Sequence, residues 1–124
     1  MTKWLNLVWG SIAGGFSRYL LAGLIQQVAG AGFPYGTLVV NLSGCLLIGY
    51  LDALAEVRFI LGPDARMLLM TGFCGAYTTF STYILETSHL IRDGQLWRAL
   101  VNIMVSVAAG LLLFQSGYAL GRNP

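Results

Sequence analysis

The stretch that decides the fold is residues 67–90, MLLMTGFCGAYTTFSTYILETSHL, where glycine, hydroxyl and aromatic side chains interrupt an apolar run. Residues 67–85 carry no charge, and a helix needs roughly 20 apolar residues to cross the hydrocarbon core of a bilayer. Glycine and threonine weaken a helix, and non-helical backbone inside a membrane is tolerated only where it is buried or lines a cavity. The stretch therefore predicts a membrane helix that is broken at its centre.

A break at this position has chemical consequences. It would free backbone carbonyls near Gly75 and Thr78, and freed carbonyls at mid-membrane depth are a natural site for a hard cation. Phe80 and Tyr83 are three residues apart and share a helical face, where the partly positive ring edges suit a small anion. The alternative is that the hydroxyls bond back to carbonyls of their own helix. The density of polar groups favours a functional site over that alternative.

The rest of the chain is equally poor in charge. Of its 124 residues, 56% are hydrophobic and 10% are charged, whereas an average soluble domain carries about 25% charged residues. The mean hydropathy is +0.71, and the net charge of +2 includes no basic cluster of the kind that binds nucleic acid. A soluble enzyme, a nucleic-acid-binding protein and a disordered chain are excluded, and an integral membrane protein is predicted.

Turn signals divide the chain into four spans. Glycine and proline at residues 30–34 predict a turn, and residues 52–66 hold five charges and predict a water-exposed loop. Period-two alternation is absent, which argues against a β-barrel. The predicted fold is an all-α membrane protein, a single domain with spans at about residues 4–28, 35–51, 67–90 and 96–120.

The positive charges in the loops and at the ends of the spans are nearly balanced between the two sides of the membrane. One side would carry Arg92 and Arg98, and the other would carry Lys3, Arg58, Arg66 and Arg122. This small difference is a weak orientation signal. A single orientation with a modest bias and an antiparallel pair of inverted copies fit the charges equally. Four helices enclose little space, so a transport pathway would need a second copy.

Polar side chains elsewhere in the spans are further candidates. Arg18 costs at least about 2.5–3.5 kcal/mol inside a span, so it either pairs or attracts an anion, or it snorkels to the interface. Asn41 is either a bond between helices or a pore-lining amide. Glu86 is either a solvated helix end or a pore entrance. Asn102 and Ser106 share one face of the last span and could extend a polar track.

These motifs together make the sequence recognisable. It resembles the Fluc (CrcB-type) fluoride channels of bacterial membranes in residues 36–41 (GTLVVN), in residues 78–82 (TTFST) after Gly72 and Gly75, and in Arg18. The length and the four-span layout match from end to end. The resemblance implies a multi-pass channel of the cytoplasmic (inner) membrane, with no enzymatic activity. Such a channel conducts fluoride passively, rejects chloride and lowers the cytoplasmic fluoride concentration.

The resemblance also implies an assembly and a set of site residues. Fluc channels are antiparallel, dual-topology homodimers with two fluoride pores and a central structural sodium ion that is not transported. By motif position, the sodium ligands here would be the backbone carbonyls of Gly75 and Thr78 from both subunits. The implied vestibule residues are Arg18 and Glu86, and the implied pore residues are Asn41, Phe80, Ser81, Thr82 and Tyr83.

Two departures from the family pattern and two competing functions complete the prediction. Position 83 is Tyr where the family usually has Phe, which could alter conduction or selectivity. Position 76 is Ala where a second glycine is common, which should leave coordination by carbonyls possible. A small multidrug-type dual-topology exporter would need a carboxylate in its first span, where this chain has Arg18 and no acid. A subunit that transports nothing would leave residues 78–82 unexplained.

Overall fold

In the computed structural model, which describes residues 2–124, the chain is a bundle of long helices without a strand in that range. Helix α1 runs over Thr2–Ala29 and α2 over Tyr35–Glu56. The third helix is in two pieces, which we label α3 (residues 63–77) and α4 (Phe80–Arg92). The last helix, α5, is Leu96–Arg122. The prediction of an all-helical chain with four helices is confirmed.

The third helix is irregular before it breaks. Within α3 an α-helical turn, Pro63–Arg66, leads into a π-helical segment, Met67–Cys74, and a last short turn, Gly75–Tyr77. Thr78 and Thr79 then leave the helix, with φ −95° and ψ 159° for the first and φ −149° and ψ 123° for the second. Widened helical turns occur frequently at functional sites. The predicted break in the third helix is therefore present, and it spans two extended residues.

The loop after α2 differs from the prediction. The exposed loop was expected over residues 52–66. In the structure the non-helical segment covers only residues 57–62, because α2 continues to Glu56 and the next helix begins at Pro63. Ala53 and Ala55 are wholly buried, so packing extends the helix through a segment that contains charges. Proline is favoured at the first helical position because its missing N–H is not needed there.

Glycines bring the backbones of neighbouring helices into contact. A Cβ added at Gly10 or Gly14 of α1 would overlap a carbonyl oxygen of α3. A Cβ at Gly49 of α2 would overlap a carbonyl of α5, and one at Gly117 of α5 would overlap a carbonyl of α2. Small residues allow this close approach in lipid, where no hydrophobic effect drives helices together. The bundle is thus two tightly packed helix pairs, α1 with α3 and α2 with α5.

Two helices, Tyr35–Glu56 and Leu96–Arg122, are long and apolar enough to cross a membrane by themselves. The other two predicted spans are interrupted, α1 by Arg18 and the third by its break. That all four helices span a membrane stays a prediction. The connections between α1 and α2 and between α4 and α5 lie together at one end of the bundle, where residues 31–34 and residues 93 and 95 line one hollow.

Candidate functional site

An asparagine from another helix makes hydrogen bonds to the backbone at the break. Nδ2 of Asn41 donates to the carbonyl of Thr79 at 3.0 Å, and the Thr79 N–H donates to Oδ1 of Asn41 at 2.8 Å. The amide thus satisfies both backbone groups of an extended residue, as a neighbouring strand would. The structure shows the bond between helices that was one of the two interpretations of Asn41. Nδ2 carries a second N–H, so one donor remains for a ligand.

The break frees the carbonyls of residues 75–78 from helical bonding, among them those of Gly75 and Thr78. In an uninterrupted helix the Gly75 carbonyl would accept from the N–H of Thr79, and the Thr78 carbonyl from the N–H of Thr82. Both N–H groups have other acceptors here, because Thr79 bonds to Asn41 and Thr82 donates to Oγ1 of Thr79 at 3.3 Å. The carbonyls of Gly75 and Thr78 are therefore released from helical bonding, at the two residues named from the sequence.

Arg18 donates a hydrogen bond to another backbone carbonyl at the end of α3. Its Nε donates to the carbonyl of Ala76 at 3.1 Å. A cation beside the last carbonyls of a helix interacts favourably with the helix dipole. Of the interpretations of Arg18, pairing is the one that this geometry shows. The bond also leaves the Ala76 carbonyl occupied, in contrast to those of Gly75 and Thr78.

A hollow of about 300 Å³ lies beside the break, between α2 and α3. We call it the break hollow. Among residues 2–124, no group of three or more His, Cys, Asp or Glu side chains is placed to hold a metal ion. The donors that remain for a hard cation are carbonyl oxygens, as such cations prefer. The break hollow brings together Asn41, Gly44, Cys45, Ile48, Met70, Cys74, Gly75, Thr78, Thr79 and Phe80.

A second, larger hollow of about 730 Å³ lies on the α1 side of the break. We call it the vestibule hollow. It brings Arg18, Thr79, Thr82 and Glu86 together. Oε1 of Glu86 is buried and has no hydrogen-bond partner within the described part of the chain. An arginine, two threonines and a glutamate thus line one hollow, although the two charged residues were predicted from separate spans.

The predicted aromatic pair is present, but its two rings lie in different environments. The ring centroids of Phe80 and Tyr83 are 5.8 Å apart and the ring planes are tilted by 52°. Phe80 is 75% exposed and lines the break hollow, whereas Tyr83 is 8% exposed. Ser81 is exposed. Neither Ser81 nor Tyr83 lines the break hollow or the vestibule hollow.

The polar residues of α5 form a buried connection to α4. Nδ2 of Asn102 donates to Oγ1 of Thr87 at 2.9 Å, and that hydroxyl donates to the carbonyl of Tyr83 at 2.7 Å. Asn102 is only 2% exposed. Oγ of Ser106 is buried without a hydrogen-bond partner among the described residues. In a single chain, Asn102 therefore positions α4 against α5.

Two site residues escaped the sequence analysis. The backbone of Thr79 is bonded to Asn41, and its side chain caps α4. A threonine three residues before Thr82 is a candidate N-cap, and this spacing could have predicted the capping role. Tyr77, the last residue of α3, is 7% exposed and shares a hydrogen bond of 2.8 Å with the hydroxyl of Ser43. No pattern in the sequence pairs Tyr77 with Ser43, because they are 34 residues apart.

A helix that breaks at its centre in an apolar bundle, with released carbonyls at residues that line a hollow, is typical of helical channels and transporters. The family model described as "CrcB-like protein, Camphor Resistance (CrcB)" matches residues 5–118. The chain belongs to the CrcB family.

Relatives of similar length share about two residues in five with the chain. A protein named "Fluoride-specific ion channel FluC" from Maridesulfovibrio salexigens is 43% identical over 122 residues, 98% of this chain and 97% of its own. One of the same name from Chlorobaculum tepidum is 46% identical over 113 residues, 91% of this chain and 89% of its own. A third, from Nitrosococcus oceani, is 40% identical over 122 residues, 96% of this chain and 98% of its own.

Proposed function

We propose that the chain is a fluoride-selective channel that conducts fluoride passively across the cytoplasmic membrane. The observation that carries the proposal is the anchored break in the third helix, in a chain whose relatives are named fluoride-specific ion channels. The family is one of ion channels and not of enzymes. These relatives also argue against the multidrug-type exporter, as does the lack of an acidic residue anywhere in α1.

The outer surface of the bundle supports a position in the membrane. Large apolar and aromatic side chains stand exposed along the helices, at a density that water would not tolerate. Since α2 and α5 are each long enough to span a bilayer, the helices packed beside them would cross it too. Examples of this exposed surface on α1 and α5 are Trp9, Phe16, Leu111 and Leu112.

An antiparallel homodimer is supported by the number of ligands that one chain provides. Gly75 and Thr78 supply two free carbonyl oxygens, and hard cations take more oxygen ligands than two. A second copy facing the break hollow would double that number. The freed carbonyls suit sodium, whose charge would offset the repulsion between carbonyl dipoles from two chains. We propose that these residues hold a structural sodium ion at the dimer interface.

Fluoride holds its water tightly, so a pore must offer donors in place of that water. The second N–H of Asn41 and the hydroxyls of Ser81 and Thr82 are such donors, and the ring edges of Phe80 and Tyr83 carry partial positive charge. Arg18 would raise the local anion concentration in the vestibule hollow. The negative charge of Glu86 in the same hollow would offset that of Arg18, so that the anion is not bound too tightly to leave.

The direct test is fluoride efflux from vesicles that contain the purified protein. We expect passive efflux when a counter-current is provided, and none when chloride replaces fluoride. Efflux no faster than that from empty vesicles would overturn the channel assignment.

Two phenylalanines allow a matched test of the pore. Phe80→Leu removes an exposed ring at the break, and Phe16→Leu removes a ring of α1 that is also mostly exposed, at 66% against 75% for Phe80. Because edge contacts are worth about 0.5–1.5 kcal/mol, we expect Phe80→Leu to slow fluoride efflux roughly two- to tenfold. Phe16→Leu should leave the rate unchanged. Equal fluoride efflux rates for the two variants would show that Phe80 does not line the fluoride pathway.

A further inference from the structure

A groove at one end of the bundle combines a cationic side chain with an apolar wall. It lies between the first turns of α2 and α5 and the end of α1, and its volume is about 630 Å³. Arg98 stands at its mouth, and Leu38, Val101 and Val105 line it further in. We call it the Arg98 groove. It is separate from both hollows at the break, with which it shares no lining residue.

One guanidinium nitrogen of Arg98 makes hydrogen bonds within the described chain, and the other two remain available to a ligand. Its Nη1 donates to the carbonyl of Gly32 at 2.7 Å and to Oε1 of Gln95 at 3.1 Å. Neither Nε nor Nη2 of Arg98 donates to an acceptor within residues 2–124. The described residues that line the groove include no carboxylate. The groove therefore has an uncompensated positive charge with a fixed direction, which suits an anionic oxygen ligand such as a phosphate.

The apolar wall runs from this charge toward the middle of the bundle. Arg98, Val101 and Val105 lie on one face of α5, over a length of about 10 Å at 1.5 Å per residue. Trp97 and Tyr35 flank the mouth and are 74% and 41% exposed. Tryptophan and tyrosine concentrate where the headgroups of a bilayer meet its hydrocarbon. In the membrane position proposed above, the mouth would lie at headgroup level and the apolar wall beside the acyl chains.

We propose that the Arg98 groove binds one anionic phospholipid. Its phosphate accepts hydrogen bonds from the free nitrogens of Arg98, and one acyl chain lies along Val101 and Val105. A free phosphate ion would use the cationic mouth alone and leave the apolar wall uncovered. The proposal rests on the membrane position proposed above and not on fluoride conduction, so lipid binding and fluoride efflux succeed or fail independently.

Trp97 supplies the probe for the test. The chain has three tryptophans, Trp4, Trp9 and Trp97, so replacing the first two by phenylalanine leaves one, at the groove. The experiment places this variant in bilayers that contain either brominated phosphatidylglycerol or brominated phosphatidylcholine. We expect stronger quenching of Trp97 by the anionic lipid, corresponding to an apparent affinity about fivefold higher. Equal quenching by the two lipids would overturn the proposal without any further variant.

A matched pair of arginines tests the mouth of the groove. Arg98→Gln should abolish the preference for the anionic lipid, whereas Arg92→Gln should retain it, because Arg92 is exposed at the same end but lies outside the groove. The same loss in both variants would show surface attraction in place of a site. Inorganic phosphate added at millimolar concentration should not reduce the quenching by phosphatidylglycerol. Full competition by phosphate would contradict a lipid-binding role for the apolar wall.

Discussion

At the scale of single residues, side chains from distant segments decide which backbone groups are free at the break. Asn41 occupies the N–H and the carbonyl of Thr79, and Arg18 occupies the carbonyl of Ala76. The bonds to the Thr79 N–H and to the Ala76 carbonyl replace ones that an intact helix would have supplied. The break is therefore stabilised by satisfied polar groups, which is what a low-dielectric environment demands. Among the described residues, the carbonyls of Gly75, Tyr77 and Thr78 are left as available acceptors at the break.

The hydrogen bond between Tyr77 and Ser43 gives a prediction at this scale. Tyr77→Phe removes the hydroxyl that meets Oγ of Ser43 at 2.8 Å. We expect a loss of about 0.5–1.5 kcal/mol in unfolding free energy, the usual net value of one such bond. Ser43→Ala should cost a similar amount. The measurement is a denaturation curve in detergent micelles for each variant.

A double-mutant cycle separates the bond from other effects of the two substitutions. If the hydroxyls act on each other, the double variant should be hardly less stable than either single one. Tyr19→Phe is the matched control, because Tyr19 is 76% exposed on α1, and it should change nothing. Strictly additive losses in the cycle would show that the two hydroxyls act independently.

At the scale of elements, the two tightly packed helix pairs fix where the break lies. Gly10 and Gly14 hold α3 against α1 up to Phe73, four residues before α3 ends. Gly44 of α2 faces the side chain of Thr78 so closely that a Cβ there would overlap its methyl group. The broken segment is thus packed from two directions. The position of the break follows from this packing as much as from the local weakness of glycine and threonine.

Adjacent glycines provide the prediction for the contact between α1 and α3. A Cβ at Gly14 would overlap the carbonyl of Phe73, whereas a Cβ at Gly15 meets nothing within 4 Å. Gly14→Ala should therefore destabilise the protein by about 1–3 kcal/mol, as overpacking does. Gly15→Ala should stabilise α1 by roughly 0.5–1 kcal/mol, because alanine is the better helix former. Thermal midpoints in detergent measure both, and equal shifts would refute the close contact.

At the scale of the whole molecule, a single chain leaves functional groups incomplete. Two carbonyl oxygens are too few for a hard cation, and Phe80 is 75% exposed beside them. Both features fit the proposed dimer, in which a second copy covers the break hollow.

Sodium dependence is the prediction at this scale. A cation bound only by the folded dimer stabilises it by mass action. The thermal midpoint should therefore rise with sodium concentration and fall when a bulky organic cation replaces sodium throughout purification. Potassium at equal ionic strength is the control for general salt effects. A midpoint that is indifferent to sodium would argue against the carbonyl site, whatever the outcome of the efflux assay.

Local composition was sufficient to predict the helices and the break. Apolar run length and the loss of helix propensity at glycine and threonine are properties of short segments, so they predict spans without knowledge of their neighbours. Because these properties belong to short segments, they also gave a predicted boundary for the loop after α2 that differs from the structure. Charges over residues 52–66 indicated solvent, but Ala53 and Ala55 are buried against other helices, and only packing could reveal this.

The sequence by itself thus determined a charge-poor, four-helix chain with a broken third helix, because these features follow from the chemistry of consecutive residues. Only the tertiary structure decided how the break is anchored, because Asn41 and Thr79 are 38 residues apart, and Arg18 and Ala76 are 58 apart. It also decided that Phe80 is exposed while Tyr83 is buried. Hydrogen bonds and burial between distant segments depend on how helices pack, and no periodicity within one helix encodes its neighbour.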